Sequence, residues 1–179
     1  ANRLRNFAYM RMVRQLLPQA PIVVGGTAVS IFGKEVIRHC PRNSIVVVGE
    51  GEDTMLGIVD GQDEPAGEYH VKDADGRIRH HQRLGSFDLS QRTAVDFAYI
   101  AGIFPSFREY LGDDIGVNTK RGCPFHCHFC LYNKIEGASQ RYRDPVQVVD
   151  EIETLRRDFG VRRIWFTDAQ FCSTRQSTR

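Results

Sequence analysis

Cys123, Cys127 and Cys130 fall within eight residues, spaced Cys-x3-Cys-x2-Cys, with Phe129 just before the last of them. Three thiolates on one short loop can hold three irons of a [4Fe–4S] cluster. The fourth iron is then left without a protein ligand. An open position of that kind is what a reactive metal centre needs and a structural one avoids. Zinc is the alternative, but it wants four closed ligands, commonly in Cys-x2-Cys pairs. His126 or His128 would have to turn inward from positions beside a ligand, and Cys172 is a remote candidate for the fourth place. Spacing and setting favour iron and sulfur. Gly122, ahead of the first cysteine, lets the backbone turn sharply. Phe129 either shields a cluster and stacks on a cofactor ring or fills a core.

Chemistry-bearing types recur at two glycine turns, Gly25-Gly26-Thr27 and Gly49-Glu50-Gly51-Glu52. Each follows a short apolar run, Pro21–Val24 and Ser44–Val48. Taken singly, such turns serve close packing as readily as ligand binding. A third place is Asp168-Ala169-Gln170, directly after Val161–Thr167. A carboxylate or amide there can hydrogen-bond hydroxyls or an ammonium group, and a loop-capping role fits the same position. Arg141 and Arg143 either meet a carboxylate or phosphate or are surface arginines. His80-His81 read as exposed polar residues, and Cys40 and Cys172 as small buried apolar ones.

The elements that must carry these residues follow from periodicity. Leu4, Phe7, Met10, Val13 and Leu17 are close to helical spacing, and Pro18 ends the pattern. Strand, glycines and helix then alternate twice, with helices over about 30–40 and through Met55, Leu56 and Val59. That alternation is the pattern of a doubly wound parallel sheet. Tyr69–Lys72 and Arg77–His80 flank Asp75-Gly76 as a hairpin with a tight turn. A new unit begins at Ile115–Thr119, a short strand feeding the cysteine loop. Asp144 as N-cap, Pro145 at the first position and Gln147 placed for a capping box open a helix with Val148, Val149, Ile152, Leu155 and Phe159 on its apolar face. Gly160 ends it, and Val161–Thr167 is the next strand. Strand, loop, helix and strand make the building block of a β/α barrel, in which chemistry sits on the loops after the strands.

Composition narrows the classes. With 24 basic and 22 acidic residues the net charge is +2, which argues against a nucleic-acid-binding surface. Arg3, Arg5, Arg11 and Arg14, and Arg156, Arg157, Arg162 and Arg163, read as solvated helix faces. No apolar run approaches the roughly 20 residues of a membrane span. Five cysteines, three on one loop, are no disulfide framework and suit a reducing compartment, the cytoplasm.

The cysteine spacing with its aromatic resembles the signature of radical S-adenosylmethionine (SAM) enzymes. With Pro21–Thr27, Val48–Glu52, the Arg121-Gly122-Cys123 entry and the Asp144-Pro145 helix, the resemblance extends to cobalamin-dependent members and covers nearly the whole chain. It implies an α/β fold: a partial doubly wound, Rossmann-like cobalamin-binding domain followed by the start of a radical SAM β/α barrel. Residues 1–60 would be the C-terminal half of the cobalamin domain, 61–114 a hairpin and interdomain linker, and 115–179 the N-terminal part of the barrel. The chain reads as a fragment across that junction.

The resemblance implies three cofactors: a [4Fe–4S] cluster on Cys123, Cys127 and Cys130, SAM on the open iron, and cobalamin bordered by Gly25, Gly26, Thr27, Gly49, Glu50, Gly51 and Glu52. Phe129, Asp168 and Gln170 would meet SAM. The implied reaction is methyl transfer to an unactivated carbon, with an external electron donor such as flavodoxin or ferredoxin and a small-molecule substrate. Cys130–Gly137 and Trp165–Gln170 are somewhat similar to the branch that methylates phosphorus in phosphinate natural products. Cyclisation, ring contraction or oxidation is the enzymatic alternative. A non-catalytic iron–sulfur or zinc module is the alternative of another class. Methylthiolation of transfer RNA calls for a further cysteine set upstream, where this chain has only Cys40.

Overall fold

The computed structural model describes residues 2–83, 88–91, 95–112 and 114–172. Residues 173–179 of the expected barrel part lie outside the described residues, as do the side chains of Arg3 and Leu4. The chain forms two compact units, residues 1–87 and 88–179.

The first unit contains α1 (Asn2–Leu16), β1 (Ile22–Val24), α2 (Thr27–His39), β2 (Ser44–Val48), α3 (Glu52–Val59), β3 (Gly67–Lys72) and β4 (Ile78–Arg83). Its sheet runs β1-β2-β3-β4. Strands β1 and β2 are parallel, as their strand–helix–strand connection requires. The hairpin extends this sheet rather than standing apart from it. β3 lies antiparallel on β2, from Ser44 opposite Lys72 to Val48 opposite Glu68, and β4 lies antiparallel on β3. The sheet is therefore mixed, with a parallel start. β2 becomes an inner strand, which explains its unbroken β-branched run and the burial of Val46 and Val47. Val46 joins Val29, Ile37 and Cys40 in a core against which Phe7, Met10, Val24 and Val36 pack.

Two polar contacts tie this unit together. The Arg14 guanidinium donates to the carbonyls of Leu17, Pro18 and Ala20 at 3.0, 2.8 and 2.7 Å and to that of Asn43 at 2.9 Å. It is a clamp on the turns bordering β1 rather than part of a solvated face. Lys72 Nζ donates to the carbonyls of Arg38 and Cys40 at 2.9 Å each, a cation at the C-terminus of α2 where the helix dipole favours it. On β3, burial first and then the neighbouring His80 hold the His70 imidazole below its ordinary pKa.

The second unit contains α4 (Phe97–Ile103), α5 (Phe107–Leu111), β5 (Asp114–Val117), β6 (Lys120–Arg121), α6 (Tyr132–Ile135), β7 (Arg141–Tyr142), α7 (Pro145–Phe159) and β8 (Arg163–Phe166). β5 and β8 are parallel, with α7 between them in sequence, so strand–loop–helix–strand forms as its periodicity predicts. Phe97, Phe107, Leu111, Val117, Val148, Leu155 and Val161 make the core. Phe97 and Phe107 stack at 6.2 Å between centroids, and Phe159 meets both edge-on. Helices α4 and α5, in the stretch read from sequence as linker, are thus part of this core, because their buried aromatics have nowhere else to go.

Helix α7 starts and stops where the sequence places its ends. Asp144 accepts the Val146 N–H at 2.9 Å, Pro145 opens the first turn, and Gly160 at φ 71° closes the helix. The expected capping box does not form. Gln147 Oε1 is buried without a hydrogen-bond partner, since Asp144 bonds the second helical N–H and Gln147 does not reach back.

Candidate functional site

In the first unit the two glycine turns lie at the C-terminal ends of the adjacent parallel strands β1 and β2. In open α/β sheets that edge is where ligands bind. Gly26, at φ 104°, is the N-cap of α2, so the helix begins at Thr27, one turn earlier than its apolar pattern suggests. Gly25, Gly26 and Thr27 are exposed, and a Cβ at either glycine would meet nothing within 4 Å. Gly49, at φ 73°, turns the chain out of β2, and Gly51 caps α3. Ser30 joins the two turns. Its hydroxyl donates to the Gly26 carbonyl at 3.2 Å and accepts the Gly49 N–H at 3.0 Å. Glu50, Gly51 and Glu52 are half-buried along the second turn. The motifs on this edge are adjacent in space, which their separation in sequence does not reveal.

In the second unit the cysteine loop leaves and re-enters through a short ladder. Lys120 and Arg121 pair with Tyr142 and Arg141. Gly122 has φ 91°, and a Cβ there would lie 2.1 Å from the Ser139 carbonyl oxygen, so only glycine fits. Its N–H donates to Glu136 Oε2 at 3.1 Å, and the Cys123 N–H donates to the Gly137 carbonyl at 3.1 Å. Arg141 returns to the Glu136 carbonyl at 2.6 Å. The neck of the loop is therefore closed by backbone and charge, and the cysteines project from a fixed base.

Within the loop, Cys123 is buried, Cys130 half-buried and Cys127 exposed. The Cys130 N–H donates to the Cys127 carbonyl at 3.1 Å, forming a tight turn between the last two. Among the described residues, one set of three ligand types converges within 4.8 Å, and it lies elsewhere, at Glu68, His70 and His80. Cys123, Cys127 and Cys130 are not in that set. Three thiols and no carboxylate on one short loop are the chemistry of a [4Fe–4S] donor set, which takes three protein sulfurs and leaves one iron open. His126 and His128 are exposed. Phe129 is 91% exposed and is no core residue. Cys172 is also exposed, against the buried reading, because it follows the loop after β8; Cys40 is buried as read.

The loop after β8 meets the entry to the cysteine loop. Asp168 Oδ1 accepts the N–H groups of Thr119 and Lys120 at 2.7 and 3.0 Å, and Oδ2 accepts the Thr119 hydroxyl at 2.8 Å. Of the two roles open to it from sequence, Asp168 here performs loop capping. Gln170 Oε1 is buried and has no hydrogen-bond partner. Arg143 is neither a surface arginine nor a ligand for an outside anion. It is 3% exposed, forms an ion pair with Glu151, which is 7% exposed, and donates to the Asn118 carbonyl at 2.9 Å. Sequence reasoning missed Ser30, Glu136 and Glu151, whose partners are distant or not conspicuous in type.

The fold is similar to that of solved radical S-adenosylmethionine enzymes. The solved structure of one such enzyme, OxsB with aqua-cobalamin and S-adenosylmethionine bound, matches 98% of this chain and 25% of its own at a TM-score of 0.74 and 18% identity. The radical S-adenosylmethionine methyltransferase TsrM from Kitasatospora setae, with tryptophan and a SAM analogue bound, matches 96% of this chain and 34% of its own at 0.67 and 20% identity. In sequence, the chain is 28% identical over 166 residues to the anaerobic magnesium-protoporphyrin IX monomethyl ester cyclase of Cereibacter sphaeroides, covering 85% of this chain and 26% of that protein. It is 24% identical over 194 residues to the cytidylyl-2-hydroxyethylphosphonate methyltransferase of Streptomyces wedmorensis, covering 89% and 36%. No protein-family model matches the chain. The chain thus spans about a quarter to a third of the length of these relatives.

Proposed function

We propose that this chain is the cofactor-bearing part of a cobalamin-dependent radical SAM methyltransferase. The observation that carries the reading is the fixed neck of the cysteine loop at the C-terminal end of a parallel strand, with three thiols graded from buried to exposed. Cys123, Cys127 and Cys130 would hold a [4Fe–4S] cluster, and the turns at Gly25–Thr27 and Gly49–Glu52 would border cobalamin. When bound, these groups supply one-electron cleavage of SAM, which yields a hydrogen-abstracting radical, and a transferable methyl group. The protein's own part is positional. Asp168 and Glu136 hold the two ends of the loop, Gly122 permits its close return, and Ser30 fixes the spacing of the glycine turns. Gln170, with its unpaired buried oxygen, would donate or accept at the SAM amino acid or ribose once its side chain turns. Phe129, exposed on the loop, would stack on the adenine.

The substrate we assign is a small molecule, methylated at an unactivated carbon or at a phosphinate phosphorus. The Streptomyces methyltransferase supports methyl transfer. The electron would come from an external donor such as flavodoxin or ferredoxin, in the reducing cytoplasm. No described helix is long and apolar enough to cross a membrane. The Cereibacter relative supports a second reading, cyclisation without methyl transfer. Product analysis with methyl-labelled SAM separates the two.

The decisive experiment is an anaerobic electron paramagnetic resonance spectrum of the iron- and sulfide-reconstituted, reduced protein, with and without SAM. A [4Fe–4S]⁺ signal that changes on adding SAM is expected. A cluster signal indifferent to SAM, or zinc in place of a cluster, would overturn the proposal.

A further inference from the structure

One convergent set of ligand-bearing side chains takes no part in this chemistry. The β3–β4 register places His70 directly opposite His80. Glu68 is two residues before His70 and so emerges on the same face of the strand. The Nδ1 atoms of the two histidines are 3.1 Å apart, and their ring centroids 4.7 Å. One ligand atom from each of Glu68, His70 and His80 lies within 4.8 Å of the other two. The following histidine is not involved: His81 stacks on Tyr69 at 4.8 Å between centroids.

The fold fixes this arrangement from beneath. His70 is 3% exposed. Its ring lies against Gly33 of α2, where an added Cβ would stand 3.3 Å from Cδ2 and 3.4 Å from Nε2. The Nε2 edge therefore faces the helix, and Nδ1 is left to face His80. Only glycine at position 33 makes room for this, because the same Cβ would also meet Val48 at 2.8 Å. His80 is exposed and Glu68 half-buried, so the open side of the triad is reached by solvent.

We propose that Glu68, His70 and His80 bind a divalent transition-metal ion of the zinc type, clipping β4 to β3. Two imidazole nitrogens and one carboxylate, with water in the fourth position, form a donor set suited to zinc. At zinc–nitrogen distances of about 2.0–2.1 Å, two nitrogens on one tetrahedral ion stand roughly 3.4 Å apart, close to the separation found here. Calcium and magnesium prefer all-oxygen sites. The consequence is local: β4 is the outermost strand of its sheet, and an ion held across the strand pair fastens that edge. A proton shared between two imidazoles fits the same nitrogen–nitrogen distance and gives Glu68 no role.

The test uses the whole chain with Cys123→Ser, Cys127→Ser and Cys130→Ser, which removes the competing thiolates, titrated with Co²⁺ alone. One equivalent should bind, with the visible spectrum of nitrogen and oxygen ligands, and Zn²⁺ should displace it. His80→Ala in the same background should weaken binding at least tenfold, and Glu68→Gln severalfold. The absence of saturable binding in folded triple-serine protein, or undiminished binding after His80→Ala, would overturn the site in favour of a shared proton. If the serine variant does not fold, imidazole nitrogen NMR of the parent chain titrated with Zn²⁺ decides. Shifts at both His70 and His80 support the site, and unmoved resonances overturn it.

Discussion

Asp168 grips Thr119 with both carboxylate oxygens, one on the backbone N–H at 2.7 Å and one on the side-chain hydroxyl at 2.8 Å, across 49 residues of sequence. The contact joins the loop after β8 to the point where the cysteine loop begins. Hydrogen bonds to a charged group contribute about 1.5–3 kcal/mol each. Asp168→Ala should therefore cost roughly 2–4 kcal/mol, since the bonds act together. Urea denaturation checks the stability, and iron per chain after anaerobic reconstitution should fall with it. Full iron loading at unchanged stability would remove Asp168 from the support of the loop.

Gly122 makes a sharper case. Its positive φ and the 2.1 Å approach to Ser139 leave no place for a methyl group. Gly122→Ala should cost at least about 2 kcal/mol through strain and displacement of the neck. Iron loading should drop severalfold, while far-ultraviolet circular dichroism stays near that of the parent. Pro124→Ala is the contrasting substitution: Pro124 is exposed, and the change should leave iron loading within error.

The buried pair Arg143–Glu151 links the middle of α7, through Arg143, to the carbonyl of Asn118 just after β5. Removing one partner strands a buried charge, typically at about 3–5 kcal/mol, whereas replacing both with apolar residues of similar volume costs much less. Glu151→Leu and Arg143→Met, alone and combined, form a double-mutant cycle by urea denaturation. The double variant should be more stable than either single one; simple additivity would show that the pair does not act as a unit.

Cys40 gives a prediction about pH. Burial, opposed by the nearby Lys72 charge, pushes its thiol above the ordinary value. A raised pKa means less thiolate at any given pH, and the thiolate is the reactive form. At about pH 8, iodoacetamide should modify exposed Cys127 and Cys172 in the metal-free chain well before Cys40. Peptide mapping by mass spectrometry reads the order, and Cys40 reacting as fast as Cys127 would contradict its burial.

What the sequence made legible was local. The cysteine spacing, the caps of α7 at Asp144 and Gly160, and the strand–glycine alternation all depend on neighbours within a few residues, and each lies where its pattern puts it. What it did not make legible depends on distant pairing. Nothing near Arg143 marks it as buried until Glu151 is seen one helical face away. Ser30 is an ordinary helix serine until Gly49 arrives across the sheet. The hairpin reads as autonomous because its turn chemistry is complete in itself, while its attachment to β2 rests on backbone hydrogen bonds that carry no residue signature. Phe97 and Phe107 belong to no strong periodic pattern, so their helices read as linker until Phe159 completes the aromatic group.

The closed neck of the cysteine loop has an implication for damage and repair. Gly122, Glu136, Gly137 and Arg141 secure the base through contacts that do not involve any sulfur, so a cluster bound to the loop would not be what shapes its neck. On the proposed function, a cluster lost to oxygen would leave that base in place, with the Cys127 thiol exposed to solvent. Loss of a cluster held there would then be a reversible discharge of the chain rather than a collapse of the loop's base.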